Sequence, residues 1–135
     1  MNHYRHVAAG MLAFAIVASL ALSGCSSASG PIVLSEKDAG SVQQLAVGQR
    51  LEITLEANPT TGYQWAVDGG LPPCIEQIGE PEYKAQSSAI GGGGTETWTF
   101  AGKSAGQGDL KLKYWRSFEP TVPPVKTFSV TVHVK

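Results

Sequence analysis

Apolar and polar residues alternate with a period of two along most of the chain beyond residue 30. In the run Gln49 to Ala57, Leu51, Ile53, Leu55 and Ala57 fall on one side and Glu52, Thr54 and Glu56 on the other. Tyr63, Trp65 and Val67 repeat the pattern, and Trp98 and Phe100 stand against Thr97 and Thr99. Leu110, Leu112 and Tyr114 alternate with Lys111 and Lys113. Phe128, Val130, Val132 and Val134 alternate with Thr127, Ser129, Thr131 and His133. Tyr83 and Ala85 continue it weakly, and Pro31 to Ser35 reads as a first strand. Such runs, separated by Gly, Pro and Asn, predict an all-β, immunoglobulin-like sandwich of about seven to eight antiparallel strands with one solvated face per sheet. Trp65 is expected in the core beside Tyr63 and Val67. No long stretch has helical periodicity; Val42 to Val47 is the segment with room for a single helical turn.

Strand direction carries a further consequence. If the runs near 49–57, 63–67, 82–87, 95–101, 109–115 and 125–134 are consecutive antiparallel strands, alternate loops emerge at one end. Asn58 to Gly62, Ser87 to Gly94 and Trp115 to Pro124 then share that end. Loops gathered at one end of a sandwich form a composite binding surface.

The N-terminus follows different rules. Val7 to Ser23 is uncharged and mostly apolar, short for a spanning helix and the right length for a signal-peptide core. It ends in Leu22-Ser23-Gly24-Cys25, which resembles the bacterial lipobox; a plain secretory signal or an uncleaved anchor is the other reading. On the lipobox reading, residues 1–24 are removed, Cys25 carries lipid and anchors the protein to a bacterial cell membrane, and residues 25–30 form a flexible tether. Residues 31–135 are then the folded domain, large enough for a real core. Lipidation of Cys25 leaves Cys74 without an intradomain partner, and it reads as a small, half-buried apolar residue. The formal net charge of −1 offers no basic field for nucleic acid. A monomer is expected.

The three loops are chemically distinct. Asn58-Pro59-Thr60-Thr61-Gly62 has a fixed φ at Pro59, freedom for a sharp turn at Gly62 and two uncharged hydroxyls at its tip. It is stiff, narrow and polar without being ionic, which suits a plug for a cleft. The second loop carries Gly91, Gly92, Gly93 and Gly94, read either as a flexible linker or as bare backbone for close approach to a partner. The third carries Trp115, Arg116 and Phe118, residue types suited to binding hot spots, with Pro120, Pro123 and Pro124 stiffening the return. For Trp115 or Phe118 taken singly, folding back as a core lid is the competing reading.

The stretch Asn58 to Trp65 closely resembles the signature of the chagasin-like inhibitors of papain-type cysteine proteases, whose first binding loop reads Asn-Pro-Thr-Thr-Gly-Tyr followed by Trp. That family has a glycine-rich second loop, matched loosely by Gly91 to Gly94. It also has an Arg-Pro-Trp or Arg-Pro-Phe third loop, matched by Arg116-Ser117-Phe118 with Ser in place of Pro. The resemblance runs from about Pro31 to Lys135. It implies occlusion: the first loop enters the protease cleft beside the catalytic Cys, with Thr60 as central contact and Thr61 and Gly62 beside it. The other loops grip the rims, with Trp115, Arg116 and Phe118 supplying area and an anchor.

Enzyme chemistry finds little support in the residues. Beyond the leader the chain has one histidine, His133, with no nucleophile motif near it, and Cys74, His133 and the scattered carboxylates have no zinc spacing. No cofactor is expected. A lipoprotein module that binds glycan or another envelope protein through Trp115 and Phe118 is the alternative to an inhibitor.

Overall fold

The structure, a computed structural model, describes residues 29–135. The proposed leader, Cys25 and most of the tether lie outside the described residues. Among the described residues, nine strands form two packed sheets: β1 (Ile32–Ser35), β2 (Val42–Leu45), β3 (Arg50–Ala57), β4 (Gln64–Val67), β5 (Ile75–Gln77), β6 (Glu82–Ala85), β7 (Gly94–Gly102), β8 (Gly106–Trp115) and β9 (Lys126–Val134). One sheet runs β1-β3-β7-β5, with β6 also on β7; the other runs β2-β9-β8-β4. Two single 3-10 turns, Glu36–Asp38 and Pro59–Thr61, complete the elements of the described residues.

The alternation read from the sequence sorts the faces as expected. Leu51, Ile53, Leu55 and Ala57 are buried on β3, and Phe128, Val130, Val132 and Val134 on β9. Between them pack Trp65, Trp98, Phe100, Leu110, Leu112 and Tyr114. Trp65 is 5% exposed, and its indole N–H donates to the Glu56 carbonyl at 3.0 Å, so a bulky side chain is buried with its polar atom satisfied.

Three features of the sheets depart from the expectation. The sheets are mixed, because β1 pairs parallel to β3 and β2 parallel to β9. Val42–Leu45 is a strand, not a helical turn. On a sheet edge it buries Leu45 alone, and its ladder to β9 is continued by the Lys135 N–H on the Leu45 carbonyl at 2.9 Å. Lastly, β5 and β6 lie one after the other along the same edge of β7, linked by the Ile78 N–H on the Thr99 carbonyl at 2.8 Å. They behave as one strand broken at Gly79-Glu80-Pro81, where Gly79 takes φ +68° and Pro81 has no N–H to donate. Both pieces run the same way, so the alternation of loop ends survives. Cys74, expected half-buried, is 3% exposed; its carbonyl receives the Lys103 N–H at 2.8 Å at the end opposite the three loops.

One carboxylate faces inward. Glu96 pairs across from Leu55 and shares the inner face with Trp98, whose indole N–H donates to it at 2.8 Å. Burial pushes its pKa above the ordinary value of 4.5, and the Trp98 bond only partly opposes this. The folded chain therefore holds that proton to higher pH than the unfolded chain. This costs stability as pH climbs from the ordinary value through the raised one. Chemical denaturation of Glu96→Gln should show a smaller fall in stability between about pH 4 and about pH 7 than the unmodified protein does.

Candidate functional site

The register places all three loops at one end. Ala57 pairs with Gly94, Ala85 with Gly94, Gln64 with Trp115, and Tyr114 with Lys126. The segments 58–63, 86–93 and 116–125 therefore leave the sandwich side by side.

The first loop is built around Asn58. Pro59 starts the 3-10 turn, where its missing N–H costs nothing. The Thr61 N–H reaches the Asn58 carbonyl at 3.2 Å, and the Gly62 N–H reaches the Pro59 carbonyl at 3.1 Å. Gly62 then turns the chain with φ +81°. Both threonine hydroxyls donate inward at 2.6 Å, Thr60 to Asn58 Oδ1 and Thr61 to the Asn58 carbonyl. Their protons are thus committed, and the oxygen lone pairs are what the tip offers outward. Asn58, Pro59, Thr60, Thr61 and Gly62 contain no ionisable side chain.

The neighbouring loops are tied to this one. Asn58 Nδ2 donates to the Gly91 carbonyl at 3.1 Å, linking the first loop to the second. Arg116 Nε donates to the Thr61 carbonyl at 3.2 Å, linking it to the third. The Arg116 guanidinium lies 4.3 Å over the Tyr63 ring and reaches Glu119 at 3.4 Å. Below, the Tyr114 hydroxyl receives the Asn58 N–H at 2.8 Å. A cleft of about 440 Å³ opens among Asn58, Thr61, Tyr63, Gly93, Tyr114 and Lys126. Lys126 sits between Glu36 at 3.6 Å and Glu56 at 3.8 Å, exposed ion pairs that contribute little.

The candidate residues separate into distinct places. Phe118 is 67% exposed and its ring rests against Gly62. Trp115 points the other way, on the outer face of β8 with the Lys113 ammonium 4.3 Å above its ring. It is half-buried and is not part of the core cluster. Among the four glycines, Gly91 takes φ +78° and Gly92 and Gly93 are half-buried in the loop. Gly94 lies inside β7, buried, where a Cβ would collide with the Lys84 carbonyl. Two residues were missed by the sequence reading. Ile90, fully exposed at the tip of the second loop, stands beside these glycines as a lone apolar side chain in a polar segment, which was its only signal. Tyr114 read as one more strand residue, since nothing local shows where its hydroxyl ends.

The third loop is two turns in succession. The Glu119 N–H closes one on the Arg116 carbonyl at 3.1 Å, and the Val122 N–H closes the next on the Glu119 carbonyl at 3.1 Å. Ser117 and Pro120 occupy the second positions, the places that favour proline. Among the described residues the Ser117 N–H has no acceptor.

Residues 44–132 match the family model described as Chagasin family peptidase inhibitor I42. Chagasin from Trypanosoma cruzi is 32% identical over 100 residues, 71% of this chain and 89% of that protein. Amoebiasin-1 from Entamoeba histolytica is 32% identical over 104 residues, 76% of this chain and 98% of that protein. The crystal structure of a cysteine protease inhibitor from Entamoeba histolytica superposes with a TM-score of 0.69 at 22% identity, covering 78% of this chain and 96% of that one. It has the same fold.

The local geometry leaves no ready room for a side chain at Gly62. A Cβ there would meet the Phe118 ring at 3.1 Å in a backbone conformation with φ +81°. Gly62→Ala should destabilise the protein by about 1–2 kcal/mol through the left-handed backbone alone, measured by urea denaturation.

Proposed function

The chain belongs to the chagasin family of peptidase inhibitors, and on that premise we propose that it reversibly inhibits papain-type cysteine proteases by filling their cleft with the first loop. It is an inhibitor and not an enzyme. The observation that carries the mechanism is the internally bonded turn at Asn58–Gly62, held at the centre of the loop end.

A papain-type site holds a thiolate and an imidazolium, so an intruding charge would be left unpaired and desolvated. The tip of this loop is neutral and presents hydroxyl lone pairs that can accept from the donors of such a site. Cleavage needs a carbonyl in line with the nucleophile. The Asn58 and Pro59 carbonyls are instead tied back to the Thr61 and Gly62 N–H groups within a 3-10 turn, so the loop is not an extended substrate. Thr60, Thr61 and Gly62 form the plug on this reading. Phe118 on one side, and Ile90 with Gly91, Gly92 and Gly93 on the other, form the rims. Asn58 and Pro59 shape the plug, Trp115 widens the flank beside the third loop, and Gly94 sets the approach of the second loop from within the sheet.

Titrating papain with the soluble 31–135 domain should abolish activity at stoichiometric excess and leave the inhibitor uncut; full residual activity, or a cut within Asn58–Gly62, would refute the reading. Phe118→Ala should weaken inhibition by about 2 kcal/mol, the scale of a hot-spot aromatic, with an unchanged melting temperature. Ser117→Pro should tighten it by roughly 0.4–1 kcal/mol, because the second position of its turn accepts proline and the free loop loses freedom.

The N-terminal sequence supports export and anchoring to a bacterial membrane through lipid on Cys25, with the inhibitor domain following the Ser26 to Gly30 segment; we propose that the protein acts as a monomer. Membrane fractionation of Cys25→Ala should move the protein to the soluble fraction, and mass spectrometry of the mature N-terminus should find residues 1–24 gone and Cys25 acylated. An unmodified Cys25 would overturn the anchor.

A further inference from the structure

Two side chains hold the backbone of the first loop, one on each side of Thr60. Tyr114, 6% exposed, takes the Asn58 N–H on its hydroxyl at 2.8 Å, with the Asn58 carbonyl at 3.4 Å. Two residues further on, Arg116 Nε holds the Thr61 carbonyl at 3.2 Å. Next to both lies the Tyr63 ring, stacked on Tyr114 at 5.4 Å and covered by the Arg116 guanidinium at 4.3 Å. The 3-10 turn is thus pinned at both ends and backed by the Tyr63 ring, while among the described residues the Thr60 side chain bonds only to Asn58.

Each backbone residue that is ordered on binding costs about 1–2 kcal/mol. A loop that populates its binding shape only part of the time loses affinity in proportion to that fraction. We propose that Tyr114 and Arg116 are positioning residues: they set the fraction of free inhibitor whose plug is already shaped for the cleft, and need no contact with the protease to do so. This rests on the inhibitor reading above. It also redefines Arg116, which the sequence presents as an anchor for the partner. Its side chain is two-thirds covered, with Nε and one terminal nitrogen committed to Thr61 and Glu119.

The two roles differ in kinetics. A lost contact speeds dissociation. A lost brace slows association, because fewer free molecules are competent, and leaves dissociation nearly unchanged, because the cleft itself holds the bound loop. With papain as the probe, Tyr114→Phe and Arg116→Ala should each slow association about fivefold to tenfold, the worth of one hydrogen bond, with dissociation altered less than about twofold. Arg116→Lys should not restore the rate, since an ammonium lacks the planar face and the Nε–H. Ile90→Ala, at a fully exposed rim position, is the contrast and should act on dissociation. In the free protein, amide exchange of the Thr61 and Gly62 N–H groups should speed up in Tyr114→Phe and Arg116→Ala, while the β3 and β9 amides keep their protection. That measurement needs no protease, so failure of the unmodified protein to inhibit papain would sink the functional reading without touching the brace. Unchanged exchange at Thr61 and Gly62, or an Arg116→Ala effect confined to dissociation, would overturn the brace. Should Tyr114→Phe fail to fold, the two Arg116 variants, outside the core, still decide the matter.

Discussion

A column of stacked groups runs from the core to the surface, and the loop end depends on it. Trp65 lies deepest, its N–H bonded to the Glu56 carbonyl, and its ring is 5.1 Å from Tyr114. Tyr63 stacks on Tyr114, Arg116 on Tyr63, and Phe118 lies 5.8 Å from the same guanidinium. Trp65 and Tyr63 come from the first loop's flank and Tyr114, Arg116 and Phe118 from the third's, so both loops are tied into one continuous contact. Aromatic pairs of this kind contribute about 0.5–1.5 kcal/mol each beyond area burial, and a guanidinium over a ring contributes on a similar scale.

This arrangement resolves a conflict that any cleft-filling loop faces. The tip must be exposed and polar, yet it must not move, or ordering it would consume the affinity. Burying the tip is impossible, so the protein fixes its flanks. Asn58 does this through its backbone and through Nδ2 on Gly91, Tyr114 and Arg116 do it from β8, and Gly62 lets Phe118 close over the turn. The surface charges contribute less. Lys126 near Glu36 and Glu56, and Lys113 near Asp68, are exposed pairs at 3.4–3.8 Å.

Glycine serves two different ends in the same neighbourhood. Gly62 is needed for its positive φ and for the space a ring occupies above it. Gly94 has no positive φ; it is needed because β6 and the Tyr83 ring pass where a side chain would be. A sequence shows four consecutive glycines and cannot distinguish these reasons, since the crowding at Gly94 comes from residues on another strand.

The alternation of Leu51, Ile53 and Leu55, and of Val130, Val132 and Val134, determined an all-β sandwich, because a period of two leaves no other way to bury one face. Strand parity determined that three loops share an end, and the Asn58 to Trp65 motif determined the family. Tertiary structure decided what local pattern does not encode. Val42–Leu45 became a strand because β9 offered its edge, a partner almost ninety residues away in sequence. The strand along β7 broke into β5 and β6 where Gly79 and Pro81 interrupt the ladder. Arg116 turned inward and Trp115 outward because adjacent residues of a strand end face opposite sides, and only the first loop, brought there by the fold, gave the guanidinium a carbonyl to hold. Residue type and period fix which face a side chain takes; which group waits on that face is settled by chain segments far apart in sequence, and so only by the folded molecule.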